Sequence, residues 1–183
     1  EVPKADAAIL FDFNSSLISQ VEDVSNRLWD FSVSKDALFY YFNSNKGMYD
    51  LFFDMSVPVD YLDTRDLSSL NDYKVVYLPY MAMVGPETAV KLEEFVRKGG
   101  ILLADEGFGL RQQNTWLHPI SPDKSLQSIT PARWIERVKS KGEDHIMLPT
   151  GRVTVLPMRT IFKAESGKVA ARYSNGEPAI HEF

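Results

Sequence analysis

The feature that most constrains this chain is the alternation of short apolar runs with segments whose apolar residues recur at helical spacing. The apolar runs lie at residues 7–11, 57–62, 74–80 and 101–105. Continuous apolar runs of this length are typical of strands that are covered on both faces. Because helical segments separate these runs, the pattern predicts right-handed crossovers and a mostly parallel sheet.

The helical segments carry recognisable start and stop signals. The first has apolar residues at spacings of four and three, and Asn14 or a neighbouring serine is predicted to be its N-cap. Its apolar stripe consists of Leu17, Val21, Val24 and Leu28. Ser34 is predicted to cap a second helix. Pro86 is predicted to open a third, which Gly99-Gly100 ends.

The rest of the chain has a different pattern. Periodicity is lost from Glu106 to Ser128, and a loop of that length usually serves a function or an interface. Thr130-Pro131 is predicted to open a helix carrying Trp134, Ile135 and Val138. Residues 153–162 and 168–173 are predicted strands. A turn at 174–176, with Asn175 and Gly176 at positive φ, then leads to a return strand at 178–181.

Composition limits the class of protein. The 183 residues are 44% hydrophobic and 25% charged, which predicts one globular domain over 1–183. The chain has no cysteine, which excludes disulfides, thiolate metal sites and cysteine nucleophiles. No apolar run is long enough for a membrane span, and the net charge of −5 disfavours nucleic acid as a partner.

Charge is unevenly distributed along the chain. Residues 1–110 have a net charge of −9 and residues 111–183 a net charge of +4. This asymmetry is consistent with two solvated faces of one domain or with complementary faces on neighbouring protomers. The polar start at Glu1–Asp6 has no signal-peptide pattern, so we expect a soluble fragment or mature segment of a longer protein. Its compartment, whether cytoplasmic, periplasmic or secreted, would depend on the missing N-terminus.

Parallel sheets bind ligands beyond the carboxyl ends of their strands. In this chain the residues that follow the predicted strands are 12–14, 80–82 and 105–107. Asp105-Glu106-Gly107 stands where a nucleophile elbow would lie. A nucleophile there needs an activating base, and the nearest histidine in sequence is His118. We therefore expect a glycine-stabilised loop. The three histidines lack metal-ligand spacing and no phosphate loop is present, so we expect neither a metal site nor a cofactor.

The segment after this elbow mixes aromatic side chains with polar hydrogen-bonding groups. Such a mixture suits a subunit contact, a sugar contact or plain loop packing. The candidates for an interface or a sugar contact are Phe108, Arg111, Gln112, Asn114 and Trp116.

Four segments together resemble a known family. They are Val57-Pro58-Val59-Asp60, Asp66-Leu67-Ser68 with the following strand at 73–79, Phe95-Val96 with residues 99–103, and residues 173–179. In this order they resemble the β-galactosidase trimerisation domain, the middle domain of family 42 glycoside hydrolases. The resemblance implies a class I glutamine amidotransferase-like, flavodoxin-like fold with three layers, helices on both faces of a mostly parallel sheet and a C-terminal β-hairpin.

The resemblance also implies a non-catalytic assembly role in carbohydrate metabolism. In such enzymes a separate barrel domain carries the catalytic glutamates, so the implied partners are that barrel and two further copies in a homotrimer. The amidotransferase relatives use a cysteine at the elbow, where this chain has the degenerate Asp105-Glu106-Gly107. The end at Phe183 implies a truncated last strand. Two alternatives remain open: a carbohydrate-contacting module that completes a neighbouring subunit's active site, and an independent hydrolase that uses Glu106.

Overall fold

The computed structural model describes residues 4–25, 40–139, 144–155 and 158–183. The chain divides into two compact units, Glu1–Leu117 and His118–Phe183. The first unit is built on a parallel sheet and the second on antiparallel sheets. The fold is therefore mixed α/β with a four-stranded parallel sheet, and that part of the prediction is confirmed.

The first unit orders its strands β2-β1-β3-β4. Their bounds are β1 (Ala7–Phe11), β2 (Val59–Asp63), β3 (Val75–Leu78) and β4 (Ile101–Ala104). All neighbouring pairs are parallel. The strand that follows Pro58, β2, is an outer strand of this sheet, where a residue without a backbone N–H is tolerated. At the other edge, Ile101 and Leu103 of β4 remain exposed, unlike the buried strand that the apolar run predicts.

Three helices are described in this unit: α1 (Phe13–Ser25), α2 (Tyr40–Asp54) and α3 (Pro86–Arg97). The predicted start of α3 is confirmed, because Pro86 occupies its first turn. The predicted stop is also confirmed. Gly99 has φ +93°, and the amides of Gly99 and Gly100 donate to the carbonyls of Val96 and Phe95. The proposed cap at Ser34 lies outside the described residues.

The predicted cap of α1 is wrong by a few residues. Asp12, not Asn14 or a serine, accepts a 2.7 Å hydrogen bond from the amide of Ser15 at its Oδ2. Asp12 Oδ1 accepts from the Thr64 hydroxyl at 2.8 Å, and the Asp12 amide donates to the Tyr41 hydroxyl at 2.9 Å. One buried carboxylate therefore starts α1 and fixes the turn after β2.

The second unit contains the main errors of the sequence analysis. The predicted helix after Thr130-Pro131 is the strand β5 (Ala132–Lys139), which pairs with β8 (Met158–Ala164). Its aromatic and β-branched residues favour a strand once this non-local partner is available. The single strand predicted at 153–162 is two strands in different sheets, because β7 (Gly151–Thr154) pairs elsewhere.

The C-terminal hairpin is confirmed as β9 (Lys168–Tyr173) and β10 (Pro178–Glu182). It belongs to a four-stranded antiparallel sheet of order β10-β9-β6-β7, in which β6 (His145–Leu148) was not predicted. At the turn, Gly176 has φ +89°, whereas Asn175 does not have the predicted positive φ.

Candidate functional site

The chain after β4 lies along the segment that follows β3. The Gly109 amide donates to the Met81 carbonyl at 3.0 Å, and the Arg111 amide donates to the Ala82 carbonyl at 2.8 Å. Met83 and Arg111 form an isolated parallel bridge. Residues 109–111, near the start of the predicted loop, are therefore fixed by their own backbone to the segment that follows β3.

A cluster of charged and polar side chains holds this loop to α1. The Arg111 guanidinium donates to Glu22 Oε1 from Nε at 2.9 Å and from Nη2 at 2.6 Å. The Tyr80 hydroxyl donates to the other oxygen of the same carboxylate. Both charged side chains are largely shielded from solvent. Charge-assisted hydrogen bonds of this kind are stronger than neutral ones, so the cluster fixes the position of the loop.

Tyr80, which bonds to Glu22, also lies close to the backbone of Gly107. Tyr80 is buried and has φ +36°, an uncommon conformation for a bulky residue. A Cβ atom at Gly107 would lie 2.8 Å from the Tyr80 ring, and Gly107 itself has φ +85°. The glycine of the predicted elbow thus allows the backbone to approach the Tyr80 ring closely.

Residues 111–117 form a tight hairpin, called here the Trp116 hairpin. The Gln112 amide donates to the Trp116 carbonyl at 2.7 Å, and Arg111 and Leu117 form an antiparallel bridge. Within the turn, the Trp116 amide donates to Asn114 Oδ1 at 3.1 Å. Arg111 Nη1 donates to the Thr115 carbonyl at 2.6 Å. This bonding fixes the backbone at Trp116, a residue that is 74% exposed.

The structure assigns different environments to the predicted site residues. Trp116 is presented to solvent, whereas Arg111, Gln112 and Asn114 donate or accept hydrogen bonds within the hairpin. Phe108 is only 3% exposed, which corrects its selection as a contact residue, because its ring is not accessible on this protomer. The hairpin therefore presents an exposed aromatic side chain next to hydrogen-bonded polar residues.

The predicted elbow contains a second hydrogen-bonded cluster. Asp105 Oδ2 accepts hydrogen bonds from the Ser44 hydroxyl at 2.5 Å and from the Tyr77 hydroxyl at 3.1 Å. Asp105 Oδ1 accepts from the Glu106 amide at 2.7 Å. Burial, and secondarily the Asp105 charge, raises the pKa of the Tyr77 phenol. This carboxylate acts as an acceptor that ties α2 to the ends of β3 and β4.

His118, the one candidate base for the elbow, belongs to the second unit. There its Nδ1 lies 3.3 Å from Asp123 Oδ2. Hydrogen bonds from Ser125, and a smaller effect of the His118 charge, lower the pKa of Asp123. Among the described residues, no group of three or more His, Asp or Glu side chains is arranged to hold a metal ion. No described helix has the length and apolar character that crossing a bilayer requires.

No sequence pattern predicts Glu22, Tyr80 or two of the serines of α1, Ser15 and Ser19, as residues of this site. Ser15, Ser19 and Glu22 lie four and three residues apart and therefore share one helix face. A glutamate on the same face as two small polar residues was the available signal.

A family model described as the β-galactosidase trimerisation domain matches residues 5–182. β-Galactosidase Pbg of Clostridium perfringens is 36% identical over 74 residues, which is 40% of this chain and 10% of that protein. β-Galactosidase BglY of Alicyclobacillus acidocaldarius is 29% identical over 111 residues, which is 61% of this chain and 14% of that protein.

Solved structures share the fold of this chain. The crystal structure of β-galactosidase from Bacillus circulans sp. alkalophilus superposes with a TM-score of 0.77 at 22% identity. The match covers 95% of this chain and 26% of that chain. At this identity the superposition establishes a shared fold. The chain spans about a quarter of such solved relatives, and its matches to the curated relatives span 10% and 14% of their length.

Proposed function

We propose that this chain, which belongs to the β-galactosidase trimerisation domain family, assembles protomers through the Trp116 hairpin. The observation that carries the proposal is the 74% exposure of Trp116 on a hairpin held by the Arg111–Glu22 ion pair. Tryptophan is enriched among the residues that dominate interface energies. A pre-ordered hairpin also loses little conformational entropy when it binds.

The charge pattern supports contact with another copy of the chain. The first unit, residues 1–117, carries 18 acidic and 10 basic side chains, a net charge of −8. Two acidic units repel each other, so we expect them to meet at uncharged surfaces. Residues 112–117 carry no charged side chain. An uncharged, aromatic hairpin is therefore suited to self-association.

Sugar contact is the alternative function for the same hairpin. An exposed indole with amide side chains beside it also suits a sugar contact. However, Asn114 Oδ1 already accepts from the Trp116 amide, and Gln112 Nε2 donates to the Leu117 carbonyl at 3.3 Å. These amides hold the hairpin, which favours assembly over sugar recognition. Titration with galactosides, followed by Trp fluorescence, tests the alternative.

We further propose that the chain has no catalytic activity and that a separate barrel domain of a glycoside hydrolase is its natural partner. Asp105 is committed to Ser44 and Tyr77, which argues against a nucleophile at the elbow. The independent-hydrolase alternative predicts hydrolysis of aryl galactosides that Glu106→Gln abolishes. We expect no turnover by either protein.

The order β2-β1-β3-β4 matches the first strands of a flavodoxin-like sheet. With right-handed crossovers, the helices between β1 and β2 and the helix between β3 and β4 would cover opposite faces. We propose that this three-layer, glutamine amidotransferase-like arrangement and the antiparallel unit together form one domain over 1–183.

Light scattering of Trp116→Ala tests the proposed function, with Phe53→Ala as the matched control. Phe53 is 73% exposed on α2, so both substitutions remove an aromatic side chain of nearly equal exposure. We expect Trp116→Ala to weaken association and Phe53→Ala to leave it unchanged. Equal masses for the unsubstituted chain, Trp116→Ala and Phe53→Ala at every concentration would overturn the role of the hairpin.

A further inference from the structure

Helix α1 packs on the first unit through its small polar side chains. Ser15 Oγ accepts a hydrogen bond from the Met83 amide at 3.0 Å, and Ser19 Oγ accepts one from the Tyr41 amide at 3.1 Å. Both serines are fully buried. Because these bonds satisfy distant backbone amides, they fix which face of α1 points inward.

The opposite face of α1 carries a row of large apolar residues. Phe13, Leu17 and Val21 are spaced four residues apart, so each lies only about 40° around the helix from the one before. They are 54%, 44% and 62% exposed. A helix of a globular protein normally buries such a stripe and leaves its polar face to solvent, the reverse of what α1 does.

The segment that carries this stripe has no charged residue between its ends, although Asp12, Glu22 and Asp23 flank it. From Phe13 to Val21 there is no acidic or basic side chain, although a quarter of the whole chain is charged. The stripe and residues 112–117 thus lie on two segments without charged residues in a unit whose net charge is −8. They are also physically linked, because Glu22 of α1 holds Arg111 of the hairpin.

We propose that the Phe13–Leu17–Val21 stripe is covered by a second copy of this chain. The inference rests on the proposed assembly function and names a further surface for it. A second copy fits the stripe because an acidic protomer can approach another without like-charge repulsion at an uncharged surface. Stable subunit interfaces are also more apolar than ordinary protein surface.

Single-cysteine alkylation tests this proposal cleanly, because the chain has no cysteine of its own. Val21→Cys reports on the stripe. Val90→Cys on α3 is the matched control, because Val90 is the same residue type and is 55% exposed. We expect alkylation of Val21→Cys to slow at least about 10-fold at concentrations where the chain associates, and Val90→Cys to react equally at all concentrations. Leu17→Cys should behave like Val21→Cys and repeats the test at a second stripe position.

Light scattering on the same samples separates the two ideas. Full reactivity of Val21→Cys and Leu17→Cys in samples that are trimeric would overturn the stripe proposal and leave assembly intact. That result would make the barrel domain the better candidate to cover the stripe. A monomer at every concentration would overturn the proposed function, and this inference with it.

Discussion

Glu22 of α1 and Arg111 of the Trp116 hairpin are joined by two hydrogen bonds, of 2.9 and 2.6 Å, between residues 89 positions apart in sequence. The same carboxylate accepts the Tyr80 hydroxyl. One side chain therefore links the first helix, the end of β3 and the hairpin. The position of the hairpin depends on this link.

Glu22→Gln should destabilise the first unit by about 1–3 kcal/mol, because it leaves the Arg111 guanidinium partly buried without a charged partner. Urea unfolding measures this cost. In a double-mutant cycle with Arg111→Met, we expect a coupling free energy of at least about 1 kcal/mol. Strict additivity of the two substitutions would show that the pair does not hold the hairpin.

Gly107→Ala should be one of the most damaging small substitutions in the chain. The added Cβ would lie 2.8 Å from the Tyr80 ring at a backbone φ of +85°, so we expect a loss of about 3 kcal/mol. Gly176→Ala is the matched control. Its φ is +89° with nothing within 4 Å, so it should cost only about 1 kcal/mol. Similar losses in thermal unfolding would contradict a close approach to Tyr80.

Alkaline pH should destabilise the fold. Burial raises the pKa of Tyr77 and of Tyr41 above the ordinary value of 10.0, so the folded state favours the neutral phenols. The contribution of these neutral phenols to the free energy of unfolding is complete below pH 10 and is lost as the pH rises further. Urea unfolding between pH 8 and 11 should show this loss, and Tyr77→Phe should reduce it. Tyr49→Phe, at an exposed position, should leave it unchanged.

Acid pH should weaken the second unit through His181. Its ring contacts those of Phe162 and Phe183, and neither ring nitrogen has a hydrogen-bond partner among the described residues. Burial, and secondarily the Arg172 charge, lowers the pKa of His181 below 6.5. The stability contributed by the neutral ring is therefore present above about pH 6.5 and is lost as the pH falls. Calorimetry of His181→Phe should show a smaller decrease in melting temperature between pH 7 and 5, and an unchanged decrease would exclude His181 as the cause.

Apolar patterning predicted the parallel sheet because local runs such as 7–11 and 74–80 carry that information by themselves. It failed at β5, whose strand conformation depends on pairing with β8 far along the chain. The apolar stripe of α1 is the exposed side of that helix, although a surface helix usually buries such a stripe. Ser15 and Ser19 face inward because they bond to the amides of Met83 and Tyr41, and no periodicity in α1 specifies those partners.

The candidate site was only partly predictable for the same reason. Composition drew attention to Trp116 and Arg111, and both are in the hairpin. Glu22 lies 89 positions from Arg111, and only the fold brings the two together. Phe108 resembles Trp116 as a residue type, but its backbone position directs it inward.

Molar mass in solution, measured by light scattering over a range of concentrations, tests self-assembly most directly. We predict a mass that approaches three times 20.8 kDa as the concentration rises, and a lower mass for Trp116→Ala under the same conditions. A mass of 20.8 kDa at every concentration would contradict the proposal that this chain assembles by itself.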